Sequence, residues 1–390
     1  MKIGLLWHSL RAGNLGVGAL TLGNIAIIRE VAQEMGVELS FTVLSMRESA
    51  TPPIAQDIEQ FEIDTRAILS PKGYAAQAQA LDLIIDIGAG DSFAEIYGLK
   101  RFLFLWLSKW IAVAKGTPLI LAPQTIGPFT KQPYRALAAE IMKKSDAVIA
   151  RDEQSYEAIK DLAPEADSHL AVDVAFKLPF DDQKFRHRGG GKQRIGINAS
   201  GLLCGEADSG RNRFGLSFDY LELQRRLISY FLQRDDCEVF LVTHANSFGD
   251  AGDDDGAWAD KLAAEFPKAI RVPDFPGPSE AKTFISGLDF LVAGRMHACI
   301  AAFSSLTPVV PISYSRKFSG LFSLLGYPYF TPMTNVDTDR IYAKVCAYFE
   351  ESRDSMTRAQ VRALKNVDAA LEPYRQVIRR SLAKIIDDCR

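Results

Sequence analysis

The sequence predicts an α/β protein of two doubly wound, Rossmann-like domains facing each other across a cleft. Three observations predict it. Short apolar runs alternate with helix-length segments of 3.6-residue spacing, as in Ile25, Ile28, Val31, Ala32 and Met35, which is the signature of βα units and parallel sheets. The alternation breaks at LPFDDQKFRHRGGGKQR, where charge and consecutive glycines gather without apolar periodicity, and then resumes. A chain of 390 residues also exceeds the size at which one hydrophobic core keeps growing.

In order, strands are expected at Lys2–His8, Ser40–Leu44, Ala67–Leu69, Leu83–Ile87, Pro118–Ala122, Ala147–Ala150 and Leu170–Val174. A second series follows at Ile195–Ala199, Val239–Thr243, Ile270–Val272, Phe290–Ala293 and Val309–Ile312. The domains are thus residues 1–180, a linker at 181–193, residues 194–350, and C-terminal helices at 351–390 packing back on the domains. Two long loops, GLLCGEADSGRNRFGLS and ANSFGDAGDDDGAW, interrupt the second series; loops of that length are functional or simply solvated.

Composition narrows the function. A net charge of -3 argues against non-specific attraction to nucleic acid, so any anion site must be local. The five cysteines are scattered with no C-x-x-C pair, which favours a reducing, cytoplasmic setting over a disulfide framework or zinc site. The N-terminus reads as a first strand, its apolar run being too short for a signal peptide. The most apolar stretch, FLFLWLSKWIAVA, is broken by Lys109 and reads as a buried amphipathic helix, with peripheral contact to a membrane surface left open.

Ligands of parallel sheets bind beyond the carboxyl ends of the strands. Standing there are His8, the loop RAGNLGVGALTLGN, the run DIGAGDSF with Asp86, Gly90 and Asp91, then Gln124, Arg151, Asn198, His244, and Arg295 with His297. The spacing of Gly13, Gly16 and Gly18 is not G-x-G-x-x-G, so the dinucleotide fingerprint is absent; the loop is either a bare turn or a close approach to substrate at Gly16, with Asn14 as polar contact. Asp91 reads as a site carboxylate or as a turn cap. His8 and His244 are candidates of second rank, His187 falls in the linker and His169 precedes a strand. Arg295 and His297 follow Gly294 at the start of a helix, where the helix end favours an anion, the guanidinium offers planar donors and the imidazole can move a proton. The competing reading is an arginine bridging to a carboxylate beside a capped histidine.

GNLGVGALTLGNI, DLIIDIGAGDSF, LILAPQTIGPF, AVIARDEQSYEAI, VDVAF and LVAGRMHACIAAFSSLTPVVPISYSRKFSGLFSLLGY together resemble the polysaccharide pyruvyl transferase family, in order, from about Gly13 to Tyr327. The resemblance implies a fold like that of GT-B glycosyltransferases, with phosphoenolpyruvate as donor substrate, no cofactor and no metal. The pyruvyl group would go to two hydroxyls of a sugar or glycan acceptor, lipid-linked or not, as a ketal. It places donor binding on Arg295, Met296 and His297, with Arg151 and Lys317 as further cations; His297 is the expected acid and Asp91 the expected base. Val17 stands where many members carry an aspartate. The alternatives are a nucleotide-sugar glycosyltransferase, disfavoured because ACIAAFSSL lacks an acidic residue, and a noncatalytic sugar-binding relative.

Overall fold

The computed structural model describes residues 1–11, 13–48, 52–184, 191–246 and 253–388, without the side chains of Arg316, Lys317 and Ser319. Two compact units emerge: one of Met1–Ala12, Leu20–Lys177 and Asp368–Arg390, the other of Gly13–Ala19 and Leu178–Val367.

The first unit holds β1 (Lys2–Leu6), most of α1 (Leu15–Glu34), β2 (Ser40–Ser45), β3 (Glu59–Glu62), α2 (Thr65–Leu69), α3 (Tyr74–Gln79), β4 (Leu83–Asp86), α4 (Leu99–Ala114), β5 (Leu119–Gln124), α5 (Tyr134–Lys144), β6 (Ala147–Ala150), α6 (Glu153–Leu162) and β7 (Ser168–Leu170). Its sheet is parallel throughout, in the order β3-β2-β1-β4-β5-β6-β7. The central strands are buried on both faces, which is why they read as continuous apolar runs. Phe93, Phe102, Phe129 and Tyr134 pack edge and face at ring separations of 4.9–5.8 Å beneath α4. Helix α1 is long and apolar enough to cross a membrane, but 72% of that window is buried within the protein.

The second unit holds β8 (Gln193–Asn198), α7 (Gly201–Asp208), α8 (Tyr220–Leu232), β9 (Cys237–Val242), α9 (Asp255–Glu265), β10 (Ile270–Arg271), α10 (Pro278–Ser286), β11 (Phe290–Ala293), α11 (Met296–Ser304), β12 (Val309–Pro311), α12 (Arg316–Leu324), α13 (Thr338–Ala347) and the start of α14 (Arg353–Asp388). Its parallel sheet runs β10-β9-β8-β11-β12. In each sheet the strand order reverses beside the first strand, between β1 and β4 and between β8 and β11. Those reversals are where an open sheet leaves room for a ligand.

The observed elements refine the expected ones at several points. Ala67–Leu69 is not a strand but the end of α2, because Asp64 accepts from the Ala67 amide at 2.6 Å and caps a helical turn there. The polar strand β3 carries no apolar signal, since it is an exposed edge. The C-terminal segment, expected as one or two helices, is the single helix α14, its first part held in the second unit by Gln360 donating to the Thr307 carbonyl and its later part in the first by Tyr374 donating to Asn24. Within the expected linker, the amides of Asp181 and Gln183 donate to Thr283 and Ser286 of α10, while 185–190 lie outside the described residues.

Candidate functional site

In the second unit, strand β8 ends at Asn198 and strand β11 at Ala293, so the reversal point brings Asn198 beside Arg295. The Asn198 carbonyl oxygen Oδ1 accepts from the Arg295 backbone amide at 3.1 Å, and its Nδ2 donates to Asp255 Oδ2 at 3.1 Å. Asp255 is fully buried and is the hub of the cluster. Its carboxylate accepts from the amides of Gly201, His244 and Ala245, and from Nε and Nη2 of Arg295 at 3.0 and 2.7 Å. Arg295 Nη2 also donates to Asp253 Oδ1 at 2.5 Å. Burial alone would depress the guanidinium's pKa; the two carboxylates outweigh it and hold the group above its ordinary value.

The run Asp253-Asp254-Asp255 therefore divides three tasks. Asp254 caps α9, accepting from the amides of Gly256 and Ala257. Its neighbours neutralise Arg295. The carboxylate bridge that competes with an anion-binding role in the sequence is present, and of the two carboxylates Asp253 is the partly solvent-exposed one.

Arg295 is also the N-cap residue of α11, and its own side chain makes no cap hydrogen bond there. The first-turn amides, Met296 and His297 included, face outward from the positive end of the helix dipole. Gly294 is required by close approach and not by a left-handed turn: a β-carbon there would lie 2.6 Å from the Tyr220 hydroxyl and 2.9 Å from Leu203.

The glycine loop joins this same unit. Asn14 pairs with Ala245 as an antiparallel bridge, Leu15 donates to the His244 carbonyl at 3.1 Å and Asn246 donates to the Gly13 carbonyl at 2.9 Å. Asn14 Oδ1 accepts from the Gly16 amide at 2.9 Å. A β-carbon on Gly16 would overlap the His297 ring at Nδ1. Asn14, Gly16, His244, Arg295, Met296 and His297 are thus assembled together, although the first two were expected in the N-terminal domain. The ring of His244 is buried and its pKa is pushed down to about 3, by burial first and then by His297 and Arg295, while its backbone carbonyl holds the loop at Leu15.

In the first unit, β4 runs into Gly88-Ala89-Gly90, with φ of 53°, 49° and 90°. Three successive left-handed residues, one of them not glycine, mark a strained turn at the reversal point. Gly88 lies against Gln124 too closely for any side chain. Gln124 is fully buried and donates to Asp86 Oδ2 at 3.0 Å and to the carbonyls of Asp86 and Ala122, which ties it to the turn. Asp86 pairs with Lys109 of α4 at 3.3 Å, both completely buried. Burial raises the carboxyl and lowers the ammonium, each opposed by the other's charge.

Asp91 is half-buried and accepts from the Tyr97 hydroxyl at 2.8 Å. Arg151 donates from Nη1 to Asp173 at 2.8 Å and from Nε to Thr125 Oγ1 at 3.0 Å, a second arginine compensated by a buried carboxylate. The side chain of Lys317 lies outside the described residues. Among the described residues, no group of three or more His, Cys, Asp or Glu is placed to hold a metal ion. Sequence reading passed over Asp253 and Asp255, whose only signal was their place in a long acidic loop, and left Asp173 without a role.

Solved structures similar to this chain include S. aureus MnaA with UDP (12% identity, TM-score 0.57, covering 92% of this chain and 90% of that one). Anabaena HepE in complex with UDP-glucose matches at 15% identity and TM-score 0.54 over 100% of both chains. The E. coli trehalose-6-phosphate structure with UDP-2-fluoro glucose matches at 10% identity and TM-score 0.54, over 99% and 98%. At such identities the likeness is one of fold, the GT-B fold of two parallel α/β units. A sequence model of polysaccharide pyruvyl transferases matches residues 22–316, a span that includes Asp91, Arg151, Arg295 and His297 but not Asn14, Gly16 or Lys317. By that match over most of its length, this chain belongs to the polysaccharide pyruvyl transferase family.

Proposed function

We propose that the protein transfers the pyruvyl group of phosphoenolpyruvate to two hydroxyls of a glycan or glycan precursor, on the cytoplasmic side, forming a ketal and releasing phosphate. The observation that carries this reading is the conjunction of Arg295, the first turn of α11 that it opens and His297. Phosphoenolpyruvate brings a carboxylate and a phosphate; the helix end and the guanidinium are matched to such groups. The donor displaces Asp253 from Arg295 Nη2, while Asp255 keeps the guanidinium oriented.

A first sugar hydroxyl adds to C2 as the C2–C3 π pair takes a proton at C3 from His297; that hydroxyl's proton passes to a base, for which Asp91 is the candidate, and from it to solvent, from which His297 is reprotonated. The C2–O bond to phosphate then breaks with its electron pair, and a second hydroxyl closes on C2, its proton going to the departed phosphate. The balance is one donor and one diol to one ketal and one phosphate, with no redox partner.

Calorimetric titration with phosphoenolpyruvate, and with UDP as competitor, tests the donor. Saturable binding that survives in His297→Asn while ketal formation is lost agrees with the assignment. Binding of UDP with no response to phosphoenolpyruvate would sink it.

A further inference from the structure

Helix α4 is apolar on the side that faces water as well as on the side that faces the core. Phe102, Leu105, Ser108, Lys109 and Ala112 are its buried positions. Opposite them, at spacings of four, three and four, run Leu99 (42% exposed), Leu103 (37%), Trp106 (half-buried) and Trp110 (38%). The turn before the helix adds Ile96 (59%) and Tyr97 (42%). Of the ten large hydrophobic side chains exposed among the described residues, five lie between Ile96 and Trp110. A helix apolar all round is ordinarily buried on every side, so this outer stripe lacks its covering.

The charge around it tells which covering it fits. Between Glu95 and Glu140 the sequence has no acidic residue, while Lys100, Arg101, Lys109, Lys115, Lys131 and Arg135 fall there. Lys109 is turned inward to Asp86, whereas Lys100, Arg101 and Lys115 stand exposed at the two ends of the stripe. Glu95 is engaged by the Thr130 hydroxyl and amide and by the Lys131 amide. Two-fold pairing of this face with a second copy would set Lys100, Arg101 and Lys115 against like charges, the acids beside them, Glu95 and Asp91, being already engaged by Thr130 and by the Tyr97 hydroxyl. An anionic headgroup layer answers them, and tryptophan and tyrosine suit the depth between headgroup and acyl chain.

We propose that the outer face of α4 with the Ile96–Tyr97 turn seats the protein on an anionic phospholipid surface. Insertion is shallow: the stripe enters the headgroup boundary while the buried side of α4 stays in the core of its unit. This inference is independent of the donor assigned above.

The test uses the full chain with vesicles of phosphatidylcholine alone and of phosphatidylcholine with about one third phosphatidylglycerol. Co-sedimentation with the anionic vesicles, reduced by salt, and quenching of tryptophan fluorescence by brominated lipid are expected of the unaltered protein. Leu103→Ser/Trp110→Ser should abolish both without lowering the melting temperature appreciably. Lys100→Gln/Lys115→Gln should weaken partitioning by about 25-fold, roughly fivefold for each charge. Absence of both sedimentation and quenching in the unaltered protein overturns the proposal, whatever the variants do. So does a dimer, seen by analytical ultracentrifugation, that Leu103→Ser/Trp110→Ser dissociates while vesicles are ignored.

Discussion

Gly16 lies against the imidazole of His297 at Nδ1, with no room between them for a β-carbon. A residue near the start of the chain thereby fixes where the proposed acid of the second unit can stand. Gly16→Ala should move the ring off its position and lower kcat for pyruvyl transfer about 100-fold, the usual consequence of a misplacement near 1 Å. Titration with phosphoenolpyruvate should show affinity changed far less. Unaltered kcat would mean that the ring is not used where it stands.

Asp253 and Asp255 hold the same guanidinium but should respond oppositely. Asp255→Ala leaves Arg295 and several buried amides without their acceptor and should destabilise the protein by ~3–5 kcal/mol in denaturant unfolding. Asp253→Asn removes the charge competing for Nη2 and should tighten phosphoenolpyruvate binding roughly tenfold, with little effect on stability. Weaker binding in Asp253→Asn would show that this carboxylate assists the donor rather than yielding to it.

The buried pair of Asp86 and Lys109 should show strong non-additivity. Lys109→Met strands a carboxyl already raised by burial and should cost ~3–5 kcal/mol; Asp86→Leu/Lys109→Met should recover most of that loss. Additive effects in a double-mutant cycle would refute the coupling.

Acid should destabilise the protein through two histidines. His8 is pushed down to about 3 by burial, its Nδ1 donating to the Leu6 carbonyl and its Nε2 accepting from Asn24. His244 is likewise pushed down to about 3. Below the ordinary value of 6.5 the unfolded chain binds protons that the folded one refuses. The stabilisation is therefore complete above that pH and is lost on descent towards 3, by up to ~1.4 kcal/mol per pH unit for each ring. Urea unfolding at a series of pH values should show it, and His8→Gln should remove about half the slope. An unchanged slope would exclude His8.

The parts legible in the sequence are those where local pattern and tertiary role coincide. Phe290–Ala293 and Ala147–Ala150 are strands to the residue because central parallel strands must be apolar on both faces. Gly294, Arg295 and His297 stood out because polar groups between two buried elements need a reason. Three adjacent aspartates look like a solvated loop, and nothing local reveals that the first and third turn onto Arg295 while the second caps a helix. Likewise Lys109 interrupts an apolar helix, but its partner lies on a strand, and only the fold brings the two together.

The seating of Gly13–Ala19 on the second unit governs the order in which the molecule can be finished. Ala245 and His297, which receive these residues, are made far later than they are. At a typical ~5–20 residues per second, the segment waits on the order of ten seconds or more for its place to exist. A nascent chain can complete its first sheet before the residues that receive this segment are made, so the proposed donor site is assembled after that sheet. For the same reason, a fragment of residues 178–367 expressed alone would carry Arg295 and His297 but lack the segment that positions the ring.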